Sequence, residues 1–331
     1  MRLMPALLAM CVSVAAPAFA DKHEQTVLEY GAQCAREIGE IPPFDCNSGS
    51  EIPITVNGKP LGPNEFTKQC DRPSLLSPDE DLDRQCLPHS RILNLSRGLT
   101  QISAYCRQNK SRAQPTTTYD QVVIVLHHAG NGKTCWFESQ DKEKGFDASR
   151  VPPPNEKTPP GGHVPAVEFW KTPGQLAAVR RTCVSCHDAS PYVQSPYMAQ
   201  VWDKVPTDSW GRYSNIGPAF ESHHFSAIST PGNTCVGCHR IGSDQSCQLF
   251  IGFSAGRPAL SFPHVLPRGN NELANNYPLS HWMPMPTDSN LSEEQWNAAN
   301  MKSVDALLSC CKNPRGPNCT LTPIATSDKT K

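Results

Sequence analysis

Fifteen cysteines constrain this 331-residue chain more than any apolar run, because they fall into two sets that demand different chemistry. Four sit in two pentapeptides, Cys183-Val184-Ser185-Cys186-His187 and Cys235-Val236-Gly237-Cys238-His239. C-x-x-C-H is the spacing at which two thiols bond covalently to the vinyl groups of haem while the next imidazole takes the iron. Two copies imply two covalently bound haem c groups. Cys183, Cys186, Cys235 and Cys238 are then the attachment points, and His187 and His239 the proximal iron ligands. A tetrathiolate zinc site is the competing reading. Zinc ribbons separate their pairs by roughly 15–20 residues, whereas 48 lie between these, and zinc leaves both histidines as coincidences.

The other cysteines speak to compartment. Residues 1–20 read as a secretory signal: Arg2 supplies the positive start, Leu3 to Val14 is largely apolar, and Ala18-Phe19-Ala20 places small residues for cleavage after Ala20. That apolar stretch is too short to span a bilayer, and no other run is long enough. Setting aside Cys11 in the signal and the four motif cysteines leaves ten: Cys34, Cys46, Cys70, Cys86, Cys106, Cys135, Cys247, Cys310, Cys311 and Cys319. An even number in an exported chain predicts up to five disulfides and a periplasmic or secreted location. Six precede residue 150 and four follow 240, so each half can be stapled separately. The spacing leaves the pairing within each half open.

Composition bounds the rest. Thirty Lys and Arg against 31 Asp and Glu give a net charge near −1, with no basic excess to support nucleic-acid binding. Proline, at 32 residues, is about twice its usual frequency and predicts short elements joined by long loops. The proline-rich run from Val151 to His163 marks the clearest boundary. The expected organisation is a signal at 1–20, a disulfide-rich, mainly β module at 21–150 and a linker at 151–165. A mostly α, loop-rich dihaem domain at 166–311 and a polar tail at 312–331, poorly ordered past Cys319, complete an α+β chain.

Local signals support that division. Ile52 to Val56, Asn57-Gly58 and Lys59 to Leu61 read as an edge hairpin. Tyr119 to His127 is the strongest strand, central in a small sheet, with 91–95 and 101–106 as its partners. Thr172-Pro173-Gly174-Gln175 and Ser292-Glu293-Glu294-Gln295 are capping boxes. The second opens a helix whose expected apolar stripe is Trp296, Ala299, Val304, Leu307 and Leu308. Gly130 to Thr134 has the tail of a phosphate loop, but His127 replaces its first glycine, so a polar turn is expected. The His127-His128 pair is expected at the surface.

The sixth ligand decides whether an iron transfers electrons or meets substrate. For the second haem the candidates are Met283 and then Met285, in His281-Trp282-Met283-Pro284-Met285-Pro286. A thioether favours ferrous iron and raises the potential. For the first haem, His223 and His224 in Glu221-Ser222-His223-His224-Phe225 lead, with His264 behind them; Met198 is close in sequence for reaching the far face. A His/His first haem beside a His/Met second haem sets an electron direction.

The order Cys235 to His239, then Met283-Pro284 or Met285-Pro286, then a capped amphipathic helix over 291–308 resembles the class I cytochromes c. The resemblance covers roughly the last 150 residues and none of the module before 150. It implies a helix leading into the motif, a methionine loop across the haem and a closing C-terminal helix. The expected function is electron transfer between redox partner proteins outside the cytoplasm. The rivals are a dihaem redox enzyme of peroxidase or sulfur-compound dehydrogenase type with one displaceable axial site, and a haem-based sensory or structural subunit. Tryptophans 170, 202, 210 and 282 are expected to pack in the core or against haem edges.

Overall fold

The computed structural model describes residues 24–75, 84–158, 161–178, 183–206, 210–220, 223–238, 240–258, 260, 279–284 and 291–326. The expected signal segment, His239, His264 and Met285 all lie outside the described residues.

Helix α1 (Val27–Glu37) starts at a capping box in which the Glu29 amide donates to Thr26 Oγ1 at 3.3 Å and the Thr26 amide donates to Glu29 Oε2 at 2.9 Å. Its buried residues, Val27, Tyr30, Gly31 and Cys34, recur at helical spacing and form one face. Strand β1 (Ser50–Glu51) follows, then the hairpin of β2 (Thr55–Val56) and β3 (Lys59–Pro60). Its turn residues Asn57 and Gly58 have φ of 52° and 76°, the left-handed pair that an Asn-Gly hairpin uses. Next come β4 (Arg91–Asn94), β5 (Thr100–Arg107), β6 (Thr118–Tyr119), β7 (Gln121–His128), β8 (Lys133–Gln140) and β9 (Phe146–Asp147).

The main sheet runs β1-β4-β5-β7-β8 and closes on β10 (Ser214–Asn215), which pairs parallel to β8. As its β-branched run predicts, β7 is central, antiparallel to both β5 and β8. Residues 129–132 between β7 and β8 are a turn. His127 departs from expectation: it is 1 % exposed, because β7 is covered on both faces, and its Nδ1 lies 2.8 Å from Thr134 Oγ1.

Alternation along β8 gives the sheet two jobs. Cys135 and Phe137 face α1, through the Cys34–Cys135 disulfide and a 5.2 Å ring contact between Tyr30 and Phe137. Trp136 faces the other way, toward His187. The stretch from Val151 to Pro154 is buried, bridges Phe44 through Val151, and accepts the Trp170 indole N–H at the Pro152 carbonyl at 2.9 Å. One buried cluster continues on both sides of it, from Val27 to Ile324.

Beyond this point come α2 (Ala166–Phe169), α3 (Pro173–Ala177), α4 (Cys183–Cys186), β11 (Ser226–Ser229), α5 (Ile251–Ser254), α6 (Glu293–Lys312) and β12 (Thr320–Pro323). Both expected capping boxes are formed, at Thr172 for α3 and Ser292 for α6. The buried stripe of α6 is Trp296, Asn300, Ser303, Val304, Leu307, Cys310 and Cys311, whereas Ala299 is exposed. The polar Asn300 and Ser303 take its place because they hydrogen-bond, Asn300 to the Trp296 carbonyl and Ser303 to the segment before Cys235. The tail is ordered past Cys319: β12 pairs antiparallel with β11, and the Ile324 amide donates to the Phe225 carbonyl at 3.0 Å. Trp170 and Trp282 are buried, whereas Trp210 is 61 % exposed.

The fold is therefore α+β and disulfide-rich. Cys34–Cys135, Cys46–Cys106 and Cys70–Cys86 staple the first half, and Cys247–Cys311 and Cys310–Cys319 the second. Five disulfides are the mark of an oxidising compartment. Among the described residues no helix is long and apolar enough to cross a membrane.

Candidate functional site

The first motif is built onto the sheet. Thr172 caps α3, and the chain returns as α4, where the His187 amide donates to the Cys183 carbonyl at 3.0 Å. The His187 ring lies 4.7 Å from that of Trp136, tilted by 50°, and Tyr213 Oη donates to the His187 carbonyl at 2.7 Å. Burial pulls the His187 pKa down to about 4 against backbone groups at Pro191 and Ser190, none of which meets hydrogen-bond geometry with the enclosed Nδ1. The imidazole is thus neutral through the physiological range, the form that binds a metal. Burial, reinforced by the Glu138 charge, pushes the Cys183 thiol up to about 12. With nothing bound it remains a thiol at neutral pH.

The second motif is held by α6 instead. Cys235–Gly237 form a single 3₁₀ turn. Ser303 Oγ accepts from the Thr234 amide at 3.1 Å, the Ser303 carbonyl accepts from Asn233 Nδ2 at 2.9 Å, and Asn233 Oδ1 accepts from the Cys235 amide at 3.0 Å. Strand β11 precedes this turn, where the resemblance to class I cytochromes c implies a helix. Cys235 is partly buried and Cys238 exposed.

Cys235, Cys238 and Met283 line one cavity of about 240 Å³. Its walls include Phe250 and Ile251 beside α5, Val304 on α6, and Trp202. The Met283 loop is anchored at several points. The Met283 amide donates to the Ser254 carbonyl at 2.8 Å, and Trp296 Nε1 donates to the Pro284 carbonyl at 3.0 Å. Trp282 packs edge-on against Trp296 at 4.9 Å and lies over Gly256, where any Cβ would overlap the indole. A further wall is Ala189 to Gln194, the chain just after His187. The two motifs therefore adjoin.

Other candidates fall elsewhere. His223 is partly buried with Nδ1 3.3 Å from the Phe220 carbonyl, His224 is exposed, and neither lines the cavity. Met198 packs against the main core. Among the described residues no three His, Cys, Asp or Glu side chains gather as an ion site, so the four motif cysteines do not converge there.

Sequence reasoning missed Trp136, Ser303, Asp188 and Arg240. The last two had a readable signal: each directly follows a motif histidine, and they carry opposite charges. Asp188 is 5 % exposed, and burial raises its carboxyl to about 7 against hydrogen bonds from Ser246 and the Asp244 amide. Compared with protein-family models, curated proteins and solved structures, the chain matches none.

Proposed function

We propose that this chain is an exported, periplasmic dihaem c-type cytochrome that passes electrons between redox partner proteins. The observation that carries the reading is the cavity of the second motif: Cys235, Cys238 and Met283 line it, and the chain leaving His187, though not Cys183, Cys186 or His187 themselves, forms part of its wall. Two thiols beside a largely apolar cavity suit covalent attachment of haem, and a thioether at its margin is one of the groups that ligate haem iron. A bound haem supplies one-electron exchange at iron.

The chain's own residues do the rest. His187 is held neutral by burial and oriented by Trp136. The Ser254 and Trp296 hydrogen bonds anchor the backbone at Met283 and Pro284, which supports Met283 as the side chain that would offer iron a soft thioether. Phe250, Ile251 and Val304 supply apolar wall against which a haem face would pack. The adjoining motifs favour electron hopping with no moving part.

Intact-mass analysis of the exported protein tests the attachment: two covalent haems per chain are expected. Carbon monoxide added to the reduced protein then separates carrier from enzyme or sensor. An unchanged spectrum is expected for a carrier, whereas strong binding at one iron moves the assignment to catalysis or sensing. Near-infrared magnetic circular dichroism reads the ligand pairs, and exclusive His/Met ligation sinks the His/His first haem.

A further inference from the structure

We propose that Asp188 and Arg240 form a reciprocal brace that locks the two C-x-x-C-H segments together and sets the separation of the two haems; the proposal rests on the dihaem reading. Each residue directly follows one motif histidine and bonds the chain leaving the other motif. The Asp188 carboxylate accepts from the Asp244 amide at 2.6 Å and from Ser246 Oγ, both just beyond His239. In return Arg240 donates Nε to the Ala189 carbonyl at 2.5 Å and Nη1 to the Gly211 carbonyl at 2.6 Å.

The surroundings are shaped for this crossing. A Cβ at Gly242 would overlap the Asp188 carboxylate, so the approach requires glycine. Residue 242 is itself bridged to Ala227 in β11, and Ser246 opens the π-helical turn that runs into α5. Ala189, Arg240 and Ser246 all line the cavity, so the brace lies in the wall shared by the two sites. Hydrogen bonds that involve a charged group are stronger than neutral ones, and the Arg240 guanidinium is charged throughout the physiological range. The Asp188 side chain reaches from the first segment to the second and the Arg240 side chain from the second to the first, so the two together resist both sliding and rotation of one segment past the other. Tunnelling falls exponentially with edge separation, so a group that fixes this distance controls internal electron transfer without touching either iron. Asp188 and Arg240 are thus positioning residues.

The experiment uses the exported holoprotein and the variants D188A, D188N, R240A, R240K and G242A. Covalent haem is counted by intact mass, spin coupling between the ferric haems is read by paramagnetic resonance, and internal electron equilibration is timed after photoreduction. D188A, R240A and G242A should keep two haems, weaken the coupling and slow internal equilibration, because the edge separation is no longer held. D188N retains an acceptor and should lose less. R240K keeps the charge but replaces the planar fork, whose separate nitrogens reach Ala189 and Gly211, with a single ammonium, so it should fall toward R240A. D188N and R240K also keep the test decisive if an alanine variant fails to accumulate. Two haems with unchanged coupling and rate in R240A and R240K, or in D188A and G242A, overturn the brace and leave the dihaem reading standing. A wild-type protein without covalent haem overturns both.

Discussion

The Cys183–His187 segment packs into the main core, where Val184 is a buried member, with Trp136 beneath its imidazole and Cys183 partly buried beside it. The Cys235–Cys238 segment, by contrast, hangs from Ser303 of α6 and opens onto a cavity. The same spacing thus serves two structural economies. The first motif is placed by hydrophobic burial that the chain supplies itself. The second is placed by local hydrogen bonds and two disulfides around a space for something else to fill. If so, stability should be concentrated on the sheet side, and damage near the cavity should cost less.

Disulfide removal gives the largest contrast. Cys34–Cys135 closes a sequence separation of 101 residues and Cys310–Cys319 one of 9. Loop-closure entropy predicts a loss of about 4.7 kcal/mol for the C34S/C135S pair and about 2.6 kcal/mol for C310S/C319S. Urea unfolding of the two double variants measures this directly. Equal losses break the contrast.

Side-chain truncation sharpens it. Trp136 is fully buried, and Trp136→Ala should cost about 3–5 kcal/mol through the void it leaves beside His187. Val304 is 2 % exposed but lines the cavity. Val304→Ala should therefore cost about 1–2 kcal/mol, the transfer of its lost methyls with little new void. Ser292→Ala removes the cap of α6 and should cost about 1 kcal/mol. Because α6 carries both Trp296 and Ser303, hydrogen exchange should rise around Met283 and Cys235 before it rises around His187.

Where the sequence was legible, a local rule carried the information. Asn57-Gly58 announced its turn, Thr172 and Ser292 their helices, and the β-branched run 122–125 the centre of the sheet. The partition of disulfides followed from where the cysteines lie. Helix α1 was equally readable, from Thr26 and Glu29, yet was overlooked beside the signal segment. Other features had no local signal. Ser214–Asn215 is too short and polar to announce a strand, and joins the sheet only because β8 offers an open edge. Trp136 meets His187, and Ile324 enters the core, through contacts between distant segments that no window of sequence contains. Ala299 fails as a core residue because a helical stripe constrains direction, not which polar neighbours find partners. The cavity itself required Cys235 and Met283 to be brought together in space.

The smallest effect separates the regions by their ion pairs. Lys133 Nζ lies 2.8 Å from Glu37 Oε2, joining α1 to β8, with both side chains about one-third exposed or less. Partial burial pulls the Glu37 pKa up, but hydrogen bonds from Lys133 and Gln33 and the nearby positive charges outweigh it, and the net shift is downward. A carboxyl whose folded pKa is lowered stabilises the fold above its unfolded pKa, and loses that contribution as pH falls through the folded value. Glu37→Gln should therefore reduce stability at neutral pH by about 0.2–1 kcal/mol, with the difference from wild type vanishing at acid pH. The counterpart near the cavity, Arg257–Asp305, spans 3.8 Å and is more exposed. Screening by water leaves such a pair little to contribute, so Asp305→Asn should leave the urea midpoint unchanged across the same titration. An effect of Asp305→Asn as large as that of Glu37→Gln, with the same acid profile, places electrostatic support on the cavity side and removes this last distinction between the two regions.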